Sequence, residues 1–350
     1  MPDDRLTYCD IIIEQINYVE CIMFNLIFAN ADYDLITYAG TLLAFVLTFV
    51  MIKALKSKLP TDIGRAYAVN AAAAKGKPRG AGIIFVLVFA VMALLFTRFS
   101  LEGCSYIVLM ILAMFSGFLD DASRAPWGEF KKGIIDLAIS FLVTLTFVLC
   151  SETSLTFYFI DKTVDLPAWL YLILGTILVW ASINVTNCTD GVDGLSSSLS
   201  LISLGGFFVL FGKLGTVCAS RAGIAITDFR PWILIFMGCI AAYLIFNASP
   251  SILLMGDAGS RTIGVFFAIA AMKSGAPLMY LLICLVFIVD GGLGLIKLSV
   301  IRYLKIKNFM ANIRTPLHDQ TRKNIGWSDT QTVIRFCIIQ LVIVFIALGI

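Results

Sequence analysis

Ten apolar runs of near-bilayer length, joined by short polar connections, constrain this chain more than any other feature of its sequence. A bilayer core takes about 20 apolar residues per helix, with a range of roughly 17–25. Runs that reach or approach that length lie at 36–53, 82–97, 103–119, 133–150, 167–185, 196–212, 231–246, 260–272, 277–299 and 333–350. Only 14% of the 350 residues are charged, against roughly 25% in a soluble domain. That is too little charge to cover a soluble surface of this size. The expected fold is all-α and integral to the membrane: one polytopic domain over 36–350, with about ten transmembrane helices. Residues 9–29 are apolar but carry Asp10, Glu14 and Glu20, so 1–35 is expected to be a peripheral N-terminal segment.

Lysine and arginine set the orientation, because cytoplasmic loops carry an excess of them. The loops at 53–81, 120–132, 184–195, 247–262 and 297–332 hold 18 of the 26, while the alternate set holds 7. The first set is expected to face the cytoplasm, with both termini outside. The opening MPDDRLTYCD lacks the basic stretch of a signal peptide, so the first span is expected to direct insertion. The net charge of +3 is small, and no nucleic-acid partner is expected. The nine cysteines include no CxxC pair and lie mostly in apolar runs. Neither a disulfide framework nor a zinc site is expected.

The polar motifs fall almost entirely on the expected cytoplasmic side. GFLDDASR places Asp120 and Asp121 side by side at the end of a span. Adjacent carboxylates at a membrane boundary are costly unless a cation, a proton or water compensates them. They suit Mg²⁺, which takes oxygen ligands and is often held by one or two carboxylates with substrate phosphates; a solvated helix end is the plain alternative. NVTNCTDGVDGLSS carries Asn184, Asn187, Asp190 and Asp193. Its glycines imply a tight turn, and its amides and carboxylates can read a nucleoside or sugar by hydrogen bonding. Asp193 alone would serve as a helix cap, but capping needs one such residue rather than four. NASPSILLMGDAGS holds Asn247 and Asp257, the latter placed to cap a helix or to hold a metal-bound diphosphate. AAAAKGKPRGAG offers Lys75, Lys77 and Arg79 to phosphates, beside glycines that permit close backbone approach. Flanking charge of the positive-inside kind is the alternative there. The only histidine, His318, lies in a long basic loop on the same side. Asp290 interrupts the ninth span, either as a functional intramembrane carboxylate or at a helix contact that its glycines permit.

In order, GFLDDASR, NxxNxxDGxDGL at 184–195, and MGDAGS at 255–260 resemble the polyprenyl-phosphate N-acetylhexosamine-1-phosphate transferases. The resemblance runs from about residue 75 to 336. KGKPRGAG and TPLH…GWSDTQTVIRF look most like the phospho-N-acetylmuramoyl-pentapeptide transferase branch of that superfamily. The resemblance implies a ten-helix bundle in a bacterial plasma membrane, with a cytoplasmic site. It implies attack by undecaprenyl phosphate on the β-phosphate of a UDP-activated amino sugar, giving lipid I and UMP in peptidoglycan synthesis. It further implies Mg²⁺ on Asp257 and catalytic roles for Asp120, Asp121 and Asp257. Lys75, Asn187, Asp190, Asp193, Asn247 and His318 would contact the nucleotide or donor. A homodimer is also in keeping with the family.

The chain departs from the usual pattern where His318 is followed by Asp319 and Gln320 instead of further histidines. Leu254 also stands where an aromatic often stacks on uracil. UDP-GlcNAc is therefore carried as an alternative donor, in a GlcNAc-1-phosphate transferase. A membrane transporter is the alternative of another class, although transporters tend to show internal repeats and broken helices near the membrane centre, whereas here the carboxylates cluster at one surface and no repeat is visible.

Overall fold

The computed structural model describes residues 33–62, 75–98, 100–123, 127–214, 226, 228–306 and 308–350. The long helices are α1 (Tyr33–Leu55), α2 (Gly82–Phe96), α3 (Leu101–Asp121), α4 (Glu129–Cys150), α5 (Ala168–Thr189), α6 (Leu195–Leu214), α7 (Arg230–Asn247) and α8 (Gly256–Lys273). They are followed by a short α9 (Tyr280–Ile283), then α10 (Leu285–Tyr303), a short α11 (Leu317–Lys323) and α12 (Asp329–Leu348). The peripheral segment expected over 1–35 lies outside the described residues, except for its last three, which already belong to α1.

Seven helices are long and apolar enough to cross a membrane, and the bent α9–α10 pair makes eight. The other two expected spans are helical but of a different kind. α2 has 15 residues, or about 22 Å of rise, less than the roughly 30 Å of a bilayer core. α8 carries Asp257, Arg261 and Lys273 and is buried at all of its positions. Protein rather than lipid surrounds it, so it need not be apolar throughout.

α8 is the axis of the molecule, packed against α2, α3 and α5. Glycines let these backbones meet, as is usual where helices associate inside a membrane. A Cβ on Gly82 of α2 would lie 2.1 Å from the Gly259 nitrogen, and one on Gly117 of α3 would lie 2.4 Å from the Asp257 carbonyl. On α8 itself, a Cβ on Gly264 would lie 2.6 Å from the Ser182 oxygen of α5. Phe89, Phe229, Phe236 and Phe266 fill the space between α2, α7 and α8, with ring centroids 4.5–5.5 Å apart.

The molecule has two distinct ends. α3 carries Glu102 at one end and Asp120 at the other, about 27 Å apart by helical rise. Glu102 pairs with Lys273 at 2.9 Å and accepts the Tyr106 hydroxyl at 2.9 Å, both buried. At that end, a two-stranded antiparallel hairpin, β1 (Ser154–Phe157) and β2 (Lys162–Asp165), hydrogen-bonds to Gly275 just beyond α8. Two four-residue strands carry too little periodicity to stand out in the sequence, where 151–166 is only a connection between apolar runs. The motifs gather at the opposite end.

The ninth expected span, 277–299, is not one straight helix. It bends by 86° between Ile283 and Leu285. Gln340 of α12 reaches into the break. Its Nε2 donates to the Leu282 and Ile283 carbonyls at 3.0 and 2.9 Å, and its Oε1 accepts the Val286 N–H at 2.8 Å. A broken helix is tolerated at membrane depth where neighbours satisfy the freed backbone groups, and this side chain does so.

Candidate active site

The centre of the site is the N-terminus of α8. A helix begins with backbone N–H groups that have no partner inside it. Met255, at the N-cap position, supplies no side-chain bond. Asp121, from the end of α3, supplies two instead: its Oδ1 accepts the Asp257 N–H at 3.1 Å and its Oδ2 the Ala258 N–H at 3.2 Å. The positive end of the α8 dipole favours this carboxylate. Gly256 has φ +68°, and a Cβ there would lie 2.1 Å from Asp121 Oδ2. Only glycine permits this backbone conformation and this approach at low cost. Asp257 therefore does not cap α8; it stands in the first turn, and its carboxylate faces the cations of the site.

Arg79 clasps three carboxylates. Its Nε lies 2.7 Å from Asp121 Oδ1, its Nη2 3.2 Å from Asp257 Oδ1 and its Nη1 3.1 Å from Asp62 Oδ2. Burial opposes the guanidinium charge, but Asp121, Asp257, Asp62 and Asp190 outweigh it and hold the pKa above the ordinary arginine value. Lys132, in the first turn of α4, bridges Asp120 Oδ2 and Asp257 Oδ2, the second at 3.1 Å. The other Asp120 oxygen accepts the Trp127 N–H at 2.7 Å. Behind Asp257, Arg261 lies 3.7 Å from its Oδ2 and 3.0 Å from Asp136 Oδ1. Among the described residues, six carboxylates (Asp62, Asp120, Asp121, Asp136, Asp190 and Asp257) and three cations (Arg79, Lys132 and Arg261) interact around this centre, three more acids than bases.

The other motifs tie into the same end. Backbone bonds from Ala81 to Leu254 (3.1 Å), Gly82 to Met255 (3.0 Å) and Leu254 to Pro78 (2.8 Å) zip the KGKPRGAG loop to the irregular segment before α8. Lys77 pairs with Asp193 at 3.3 Å and donates to Ser251 at 2.9 Å. Asn187 donates to Ser260 of α8 at 2.9 Å. Asn247 is buried with both ends of its amide engaged. Its oxygen accepts from the Gly194 N–H and the Ser197 hydroxyl, and its nitrogen donates to the Leu253 carbonyl at 3.1 Å. In this state Asn247 joins two site loops rather than facing outward. Lys75 is exposed beside these loops, and no bond engages it among the described residues. His318, from α11, pairs with Asp290 of α10 at 2.8 Å and abuts the Gly191 turn.

Asp120, Asp121, Asp257 and the turn holding Asp190 and Asp193 are thus brought together by separate elements, with Asn187, Asn247 and His318 bordering them. Lys132, Asp62, Asp136 and Arg261 escaped the sequence reading. Single charges in a loop or within a helix carry no local signature, and only the packing of these segments around Arg79 and Asp257 reveals them. Arg124 and residues 71–74 of two motifs lie outside the described residues.

Comparison with known proteins agrees with this geometry. The glycosyl transferase family 4 pattern matches residues 104–275, from α3 to just beyond α8. A phospho-N-acetylmuramoyl-pentapeptide-transferase of Treponema pallidum is 37% identical over 314 residues, covering 87% of this chain and 85% of the relative. Proteins of the same name from Carboxydothermus hydrogenoformans (28% identical, 78% of this chain, 84% of the relative) and Borrelia turicatae (27%, 89% and 94%) are also similar. A buried polar centre at the start of α8, together with 37% identity along most of both chains, places this protein in the phospho-N-acetylmuramoyl-pentapeptide-transferase family of membrane phosphoglycosyl transferases.

Proposed function

We propose that the chain transfers phospho-N-acetylmuramoyl-pentapeptide from its UDP-linked donor to undecaprenyl phosphate, releasing UMP, at the cytoplasmic face of a bacterial plasma membrane. The observation that carries this reading is the convergence of Asp120, Asp121 and Asp257, from α3 and α8, on Arg79 and Lys132. Phosphoryl transfer asks mainly for positioning and charge neutralisation, and this cluster supplies both.

The residues fit Mg²⁺. The donors are all hard oxygens, the acids described above outnumber the bases, and Asp257 presents its carboxylate at a helix start. Among the described residues, no three acidic, histidine or cysteine side chains form a ready-made cage. That suits an ion held by one or two carboxylates together with substrate phosphates. Bound on Asp257, Mg²⁺ would neutralise the donor diphosphate and ease departure of UMP. Arg79 and Lys132, which pair with Asp257 here, are placed to turn toward the phosphates. Asp121 holds the α8 N-terminus in register. The acceptor phosphate is already largely dianionic at neutral pH, its second pKa being near 6. Its oxygen therefore attacks phosphorus directly, and the bond to the bridging oxygen of UMP breaks. Asp120 orients the acceptor and takes any remaining proton.

An apolar groove of about 340 Å³ suits the prenyl chain. It runs from Leu155 and Leu166 near the hairpin, along Leu174 of α5, to Val185 and Ile288. Those last two stand two residues before Asn187 and Asp290, so the groove ends at the edge of the polar site.

The test is UMP release by the purified chain with undecaprenyl phosphate and Mg²⁺, offering UDP-MurNAc-pentapeptide or UDP-GlcNAc. Turnover with the first is expected. Turnover with UDP-GlcNAc alone would reassign the donor, and none with either would overturn the reading. Asp257→Asn should lower turnover at least about a hundredfold, as loss of a charge-stabilising group does, with thermal stability retained. Normal Mg²⁺-dependent turnover in that variant would remove the metal from Asp257.

A further inference from the structure

The contact between α10 and α11 is built around one carboxylate. Asp290 is buried within α10, and both of its oxygens are given to His318. Oδ1 accepts the His318 backbone N–H at 2.7 Å, and Oδ2 meets the ring Nδ1 at 2.8 Å. Gly291, next to Asp290, lets α10 approach α5, since a Cβ there would lie 2.4 Å from the Val185 carbonyl.

A carboxylate can only accept. Nδ1 must therefore carry the proton, and in the neutral ring the lone pair is left on Nε2. That nitrogen points at the donor-site turn: a Cβ built on Gly191 would lie 2.4 Å from it. The Asp319 carboxylate is 3.8 Å away, beyond hydrogen-bond reach. Arg322 of the same short helix donates to the Gly191 carbonyl at 3.4 Å, so α11 touches the turn at two points.

We propose that Asp290 is a positioning residue that fixes His318 as the Nδ1–H tautomer and aims its Nε2 lone pair at the turn holding Asp190 and Asp193, where it accepts a hydrogen bond from an O–H or amide N–H of the amino-sugar donor. The inference deepens the transfer reading above and rests on it for the identity of that donor. A second-sphere carboxylate fixing a histidine tautomer is a recurrent arrangement at functional sites.

His318 is the only histidine in the chain, so a tag-free preparation labelled with ring-¹⁵N histidine gives two nitrogen resonances, both from this ring. With the ring neutral, Nδ1 should show the protonated shift and Nε2 the unprotonated one, and adding the UDP-sugar should move Nε2 far more than Nδ1. Asp290→Asn offers one oxygen where two donors must be satisfied, so the proton should pass to Nε2. The donor KM should then rise about tenfold, the worth of one hydrogen bond, with a smaller change in kcat. Asp290→Glu should restore both the shifts and the KM. A wild-type ring protonated on Nε2, an Nε2 resonance indifferent to donor, or an Asp290→Asn enzyme with wild-type shifts and KM would each overturn the proposal. If Asp290→Asn fails to fold, the wild-type spectrum decides. Absence of UMP release by the wild type would sink the transfer reading while leaving the tautomer readable, so the two failures are distinguishable.

Discussion

Lys132 stands between Asp120 and Asp257 and, like Arg79, is a cation shared by α3 and α8. Removing it would leave two largely buried carboxylates facing each other with one fewer counter-charge, and like charges so placed repel. Lys132→Ala should therefore lower kcat about a hundredfold, while Lys132→Arg keeps the charge and retains part of the activity. UMP release under saturating donor measures both, and wild-type kcat in Lys132→Ala would mean that the bridge is incidental. Asp120, Asp121, Asp190, Asp193 and Asp257 were legible in the sequence because each lies in a compact motif with glycine or a second acid beside it. Lys132 was not, since a lysine in the first turn after a loop looks like ordinary flanking charge. The partnership of Asp290 with His318 was equally hidden, because the two are 28 residues apart and meet only when α11 folds back on α10.

At the scale of elements, the sharp bend between α9 and α10 depends on a residue of a third helix. Gln340 satisfies two carbonyls and one N–H that the break exposes, and Ser203 of α6 adds a bond to the Ile283 carbonyl at 2.7 Å. Gln340→Leu has nearly the same volume but no polar atoms. It should orphan the Val286 N–H and the Leu282 carbonyl, each costing about 1–3 kcal/mol when buried. Thermal unfolding in detergent should fall by several degrees. An unaltered melting temperature would show that the bend holds itself. Hydropathy read 277–299 as one span because apolarity continues through the break, and a lone glutamine in the last span gives no sign of where its amide will be used. The positions of α1 to α8 were legible for the complementary reason that each has its own apolar run. α8 covers the short eighth expected run, 260–272, and its burial at every position makes it the interior axis of the bundle.

At the scale of the whole molecule, the two ends differ in chemistry. One gathers the carboxylates, Arg79, Lys132 and the basic loops, and the other holds the buried Glu102–Lys273 pair and the hairpin. The proposed function puts the site end at the cytoplasm, and the excess of lysine and arginine in its loops supports that orientation. Lys323, just past His318, and Lys162, on the hairpin, are both exposed and stand at opposite ends. Single cysteines placed there, Lys323→Cys and Lys162→Cys, can be compared with the parent chain for reaction with a membrane-impermeant maleimide. In intact spheroplasts the Lys162→Cys chain should label above the parent, and the Lys323→Cys chain should label only after permeabilisation. The reverse pattern would put the site on the outer face, away from any nucleotide donor. The cluster around Asp257 would then need another explanation, because its excess of acids would have no diphosphate-bound cation to offset it.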